Sequence, residues 1–203
     1  MEYDRLLDLL LEAATLKRMP RTGWGMRGVP NVESVAEHSF GTAFVALALA
    51  EALAAEEQAD SLDVEQVLIM ALLHDLAEVR LTDLPVSAVR LIPPEVKSQA
   101  EAAAVSDLLA PLPAAGHLAA LWQAFEDGSS PEGRLVRDAD KLEMMVQCLR
   151  YEQAGCRGLD EFWQAMDGRR WYYDLSATLY RRLKSMRPGA TTASLSPRGR
   201  GSG

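Results

Sequence analysis

A chain of 203 residues, 48% hydrophobic and 25% charged, is long enough to bury the core of one globular domain. Its formal net charge of −8 excludes a general polyanion binder such as a nucleic-acid-coating protein, while leaving room for a small phosphorylated ligand held by a few local cations. Two cysteines, Cys148 and Cys156, with no Cys-x-x-Cys pair, exclude a disulfide framework. The acids in MEYDRLLDLL do not suit a signal peptide, and the longest apolar run, about 40–50, is too short to cross a bilayer. The expected setting is cytoplasmic and reducing.

Read in chain order, the elements are helical nearly throughout. Leu6, Leu7, Leu10, Leu11 and Ala14 predict an amphipathic first helix over 2–16. Pro20, Gly23, Gly25, Gly28 and Pro30 then force a loop, which carries Lys17, Arg18, Arg21 and Arg27 with no acid among them. The stretch 32–57 is apolar on most faces and reads as a central buried helix. Asp63 is placed to cap a helix over 64–78, which ends before the turn at Asp83-Leu84-Pro85. Helices over 95–109, 115–125, 132–152 and 160–184 complete the set. Strand-like alternation is almost absent, so the expectation is an all-α single domain over 1–187. The segment 188–203 (PGATTASLSPRGRGSG) reads as a disordered tail.

Polar residues on apolar faces mark the candidate site. In VEQVLIMALLHDLAEVRLTDLP, His74 and Asp75 fall on the side of Val67, Leu68 and Ala71, and Glu78 joins them three and four residues on. Three ionisable groups aimed at a core require a metal, mutual pairing or a wet cavity. The competing reading is a helix end turning to solvent. His38 sits in the apolar helix, where a lone histidine is more often a hydrogen-bonded core residue. Together with His74-Asp75 and an aspartate in RDADKLEMM it supplies nitrogen and oxygen donors suited to a borderline or hard divalent ion. Periodicity does not select Asp140 over Asp138, which lies nearer the centre of the stripe Leu135, Ala139, Leu142, Val146, Leu149. The third histidine, His117, reads as a surface or helix N-terminal residue.

The stretches LKRMPRTGW, NVESVAEHSF, ALLHDLAEVRLTDLP and RDADKLEMM, in that order, resemble the HD-domain metal-dependent phosphohydrolases. The likeness is closest to their 5′-deoxynucleotidase family, in the eukaryotic-type branch carrying KRxPRTGW. The resemblance implies a helical bundle around one divalent ion, with cobalt, manganese or magnesium favoured, held by His38, His74, Asp75 and Asp140. It implies Glu78 as the catalytic proton carrier, although a salt bridge to Arg80 or Arg18 is an alternative. It further implies Arg18 on the substrate phosphate, Asp83 on the sugar and Glu126 nearby. Arg21 and Arg27 read instead as a solvated charge run.

One position departs from the bacterial members: Met19 stands where they carry a sugar-packing tryptophan, which puts deoxyribose selectivity in question. The implied function is metal-dependent hydrolysis of (deoxy)nucleoside 5′-monophosphates to nucleoside and phosphate by a homodimer, with no nucleic-acid polymer or membrane as partner. Trp163, Trp171, Tyr172 and Tyr173 are candidates for core or interface. The alternatives are an HD enzyme acting on another small phosphorylated metabolite and a nucleotide-binding regulatory module without turnover. A di-iron oxygenase or a multi-metal cyclic-dinucleotide phosphodiesterase is disfavoured, because only His117 lies between the second and last ligands to serve a second ion.

Overall fold

The computed structural model describes residues 3–56 and 62–188. Of the tail expected over 188–203, all but residue 188 lies outside them, as do the expected helix limits at Glu2 and Glu57. Eleven α-helices follow in order among the described residues: α1 Tyr3–Ala13, α2 Thr22–Gly25, α3 Val35–Ala55, α4 Val64–Leu73, α5 Glu78–Leu81, α6 Val86–Val89, α7 Pro94–Leu109, α8 Ala115–Asp127, α9 Pro131–Gln153, α10 Asp160–Asp167 and α11 Asp174–Ser185. A 3₁₀ turn, Ala14–Arg18, continues α1. The only β-type pairing described is an isolated bridge between Pro20 and Ser34.

Local chemistry sets the helix starts. Ser34 caps α3 through a reciprocal capping box with Glu37, satisfying free N–H groups at both ends of that exchange. Asp63 caps α4 by accepting from the Gln66 N–H, as its position predicts. Ser130 caps α9, whose first position is a proline with no N–H to lose.

Helices α3, α4 and α9 enclose the main core. Leu49, Leu53, Val67, Met70, Leu135, Leu142, Met145 and Leu149 are buried there. A second core joins Leu73, Leu76 and Ala77 to Val105, Leu108 and Leu109 of α7 and Trp122 of α8. The expectation of a central buried helix for α3, apolar on most faces, holds on one side only. His38, Thr42, Ala46, Leu49 and Leu53 face inward, whereas Phe40 and Phe44 are 74% and 65% exposed.

Two predicted helices are broken in ways the apolar pattern does not show. The expected 64–78 helix stops at Leu73. Residues 74–77 form a turn closed by three-residue hydrogen bonds, Leu76 N–H to Leu73 O and Glu78 N–H to Asp75 O. The expected 160–184 helix divides into α10 and α11 around Gly168.

Gly133 marks a close crossing of α8 and α9. A Cβ there would lie 2.4 Å from the Ala124 carbonyl oxygen, a backbone atom that cannot rotate away. Gly133→Ala is therefore expected to cost about 1–3 kcal/mol, read as a lower urea midpoint. An unchanged midpoint would show that α8 and α9 separate without penalty.

Candidate metal centre and substrate cleft

Three elements bring their polar residues to one buried point. His38 comes from the first turn of α3, His74 and Asp75 from the turn after α4, and Asp140 from the middle of α9. His38 Nε2 and His74 Nε2 lie 3.3 Å apart. Asp75 Oδ2 is 3.2 Å from His74 Nε2 and 3.7 Å from His38 Nε2. Asp140 Oδ1 is 3.3 Å from His38 Nε2. His74 is oriented from behind, its Nδ1 lying 2.7 Å from the Ala71 carbonyl oxygen, so the Nδ1–H donates and Nε2 is left with its lone pair free. Donor atoms of His38, His74 and Asp75 fall close enough together to hold one ion.

The fit to a divalent cation rests on two observations. Two imidazole nitrogens converge with carboxylate oxygens on the same point, a donor set suited to a borderline or hard cation. Asp140 Oδ1 and Glu78 Oε2 are also buried without a hydrogen-bond partner, which is costly unless a cation or water completes the site.

The electrostatics agree. Burial works against ionising Asp75, but His74 and Arg21 beside it hold its carboxyl below the usual carboxylate range. Burial likewise opposes ionisation of Asp140, yet Lys141 and His38 hold it well below that range. His38 is pushed up to about 9: burial and Arg21 act against its charge, and the Asp140 and Glu143 carboxylates outweigh them. A divalent ion held there would compete with a proton for His38.

Beside this centre lies an acidic wall held by one arginine. Arg21 Nη1 is 3.1 Å from Asp75, 3.8 Å from Glu78 and 3.6 Å from Asp83. The Thr22 N–H donates to Asp83 Oδ2 at 2.5 Å. Thr82, immediately before, has φ 61° and ψ 163°, a strained conformation for a β-branched residue that turns Asp83 toward Arg21. Glu78 is pushed up to about 9, first by burial and then by the charge of Asp75. A cleft of about 220 Å³ opens over the centre, lined in part by Asp75, Glu78, Glu126, Asp140 and Lys141.

The HD-domain family matches residues 13–170. The chain is 32% identical over 169 residues to the 5′-deoxynucleotidase HDDC2 of Danio rerio, covering 82% of this chain and 80% of that one. To the human 5′-deoxynucleotidase HDDC2 it is 34% identical over 149 residues, 72% and 68% of the two chains. The chain belongs to the HD-domain 5′-deoxynucleotidase family. A solved structure of a conserved hypothetical protein from Pyrococcus furiosus is also similar, with TM-score 0.74 and 40% identity over 89% of this chain and 98% of that one.

On this family framework the expected substrate residues divide. Glu126 lines the cleft, its carboxyl raised by burial and then by Glu101, while Asp83 stands behind the lining residues Thr82 and Leu84, paired with Arg21. Arg18 does not. It is exposed at the end of the 3₁₀ turn and is no part of the cleft lining. Arg21, read from the sequence as solvated, takes the position at the carboxylates, with its side chain 14% exposed. The reason is backbone pairing. Val35 N–H donates to Met19 O and Arg21 N–H to Glu33 O, both at 2.9 Å, so alternate residues of this short extended stretch face opposite ways. Met19 is half-buried and does not line the cleft. Arg27 pairs with Glu161 on the surface, and His117 is exposed in the first turn of α8.

Glu78 is paired with neither Arg18 nor Arg80. Arg80 instead binds Glu12 and Asp107. Asp138, the rival to Asp140, is fully buried but turned away from the centre. It accepts the Tyr172 and Tyr173 N–H groups at 3.0 and 3.1 Å and so ties the start of α11 to α9. Asp138→Ala is expected to lower stability by about 1–3 kcal/mol, because it strands two partly buried donors, while manganese affinity stays at the wild-type value. Loss of ion binding in a folded Asp138→Ala protein would contradict that division of labour.

Proposed function

We propose that the protein is a metal-dependent 5′-deoxynucleotidase, hydrolysing nucleoside 5′-monophosphates to nucleoside and inorganic phosphate. The observation carrying this reading is the junction of a two-histidine, two-aspartate centre with a buried arginine and a glutamate raised to about 9. His38, His74, Asp75 and Asp140 would hold the ion, with cobalt, manganese or magnesium as the favoured choices. Bound there, a divalent ion supplies Lewis acidity and eases deprotonation of water.

The remaining steps belong to the chain. Arg21 presents a guanidinium fork to the phosphoryl oxygens. Glu78 takes the proton of the attacking water and returns one to the 5′ oxygen as the P–O bond breaks. Asp83, fixed by the Thr22 N–H, accepts from the sugar hydroxyl, and Glu126 borders the remainder of the nucleotide. A preference for deoxyribose belongs to the same proposal. So do a cytoplasmic setting, consistent with two unpaired cysteines, and a homodimer, for which exposed Phe40 and Phe44 offer an apolar face. Trp163 is core and Tyr172 is half exposed.

The test is phosphate release by chelator-treated protein resupplied with manganese, cobalt or magnesium. Deoxynucleoside 5′-monophosphates are compared with ribonucleoside 5′-monophosphates and deoxynucleoside 3′-monophosphates. Ion-dependent release from the 5′-deoxy compounds supports the proposal. Equal release from ribonucleotides removes the sugar preference. Binding of ion and nucleotide without release makes the protein a regulatory module instead.

A further inference from the structure

The imidazole of His38 is held from its far side by a residue that the site described so far does not use. Glu143 Oε2 lies 2.5 Å from His38 Nδ1, and both side chains are buried. Glu143 stands three residues after Asp140 on α9, so one helix face presents both the carboxylate beside Nε2 and the carboxylate beside Nδ1. The approach depends on Gly41, three residues after His38 on α3. A Cβ at Gly41 would fall 2.7 Å from Glu143 Oε1 and 2.8 Å from its Cγ. Glu33 stands close behind, its Oε1 accepting from Trp24 Nε1 at 2.8 Å.

We propose that Glu143 is the positioning residue of the metal centre: by accepting the Nδ1 proton of His38 it fixes the tautomer and ring orientation that offer Nε2 to the ion, in space that Gly41 leaves open. The proposal rests on the metal-site reading above. Donor atoms of Glu33, His38 and Glu143 also converge closely enough to suggest a second ion there. That occupant is disfavoured because a neutral imidazole has one lone-pair nitrogen, which the first ion takes, and because Glu33 is engaged by Trp24. A carboxylate behind a ligating histidine both orients the ring and raises its basicity.

The test measures manganese affinity by calorimetry on wild type, Glu143→Ala, Glu143→Gln and Gly41→Ala, with thermal melting of each ion-free protein. It adds ¹⁵N–¹H spectra of the magnesium-loaded protein, which has only three histidines to resolve. Glu143→Ala is expected to weaken manganese binding about ten- to a hundredfold and to abolish the Nδ1–H signature of His38. Glu143→Gln, whose amide oxygen still accepts, is expected to fall between Glu143→Ala and wild type. Gly41→Ala is expected to reproduce the loss by displacing the carboxylate, and it carries the test if Glu143→Ala does not fold. Wild-type affinity in folded Glu143→Ala, or a second ion per chain lost in that variant, overturns the proposal alone. Wild-type protein that binds no manganese overturns the metal-site reading along with it.

Discussion

Arg21→Ala is expected to lower kcat/KM for deoxynucleoside 5′-monophosphates about a hundred- to a thousandfold, the scale of removing one buried donor from a developing anion. Arg18→Ala is expected to leave it essentially unchanged. Arg21 is buried among Asp75, Glu78 and Asp83, and although burial opposes its charge, Asp75 and Asp83 above all hold it firmly protonated. Arg21 does not itself line the cleft, but it stands desolvated behind Asp75 and Glu78, which do. Arg21→Lys keeps the charge but loses the planar fork, so only part of the rate should return. Two readouts separate this role from a structural one. Substrate binding weakens in Arg21→Ala, while manganese affinity does not fall, since a positive neighbour of the ion has been removed. The reverse ranking of Arg18 and Arg21 would show that the phosphate enters from the exposed side of the loop.

Glu78→Gln is expected to reduce kcat about a hundred- to ten-thousandfold, the usual contribution of a positioned proton carrier, with manganese still bound. Its protonation gives a second measurement. Without an ion, burial and Asp75 push the Glu78 carboxyl up to about 9, so it is neutral at pH 7. A divalent cation nearby favours the carboxylate and lowers that value. Ion binding near pH 7 should therefore release protons from both His38 and Glu78, and Glu78→Gln should release about one fewer. Calorimetry in buffers of different ionisation enthalpy reads the difference. The sign for stability follows. A carboxyl raised in the folded state stabilises the ion-free protein below its unfolded value near 4.5 and loses that contribution as pH rises toward 9. Ion-free Glu78→Gln should thus hold its stability better than wild type between those limits. Full activity in Glu78→Gln would move proton handling to another group.

The helical class and the inward placement of His38, His74 and Asp75 were legible because each lies on an apolar stripe, where a polar side chain has nowhere to go but inward, whereas Asp140 was chosen over Asp138 only by the likeness of RDADKLEMM to the family's motif. The break after Leu73 was not legible: HDLAEVRL keeps good helix formers throughout, and the turn declares itself only in its three-residue hydrogen bonds. Arg21 was missed for a different reason. Its place is set by pairing with the segment before α3 and by carboxylates 54 and more residues away, which no local pattern encodes. Asp138 was rightly the more buried of two candidates, but its partners are N–H groups exposed by a helix break around Gly168 that the sequence does not announce. Glu143 had a readable signal in its three-residue spacing from Asp140, opposite a glycine three residues beyond His38.

Crowding Glu33, Asp75, Glu78, Asp83, Asp140 and Glu143 around one centre, with Arg21 and Lys141 as the neighbouring cations, ties the persistence of the fold to the supply of ions. A ligand present at a hundred times its dissociation constant adds about 2.7 kcal/mol to folding stability, a large share of what a domain of this size possesses. An ion-starved cell would therefore hold more of this chain in opened forms, and its proteases would meet those forms first. Abundance, and not only turnover rate, would then follow the availability of the metal.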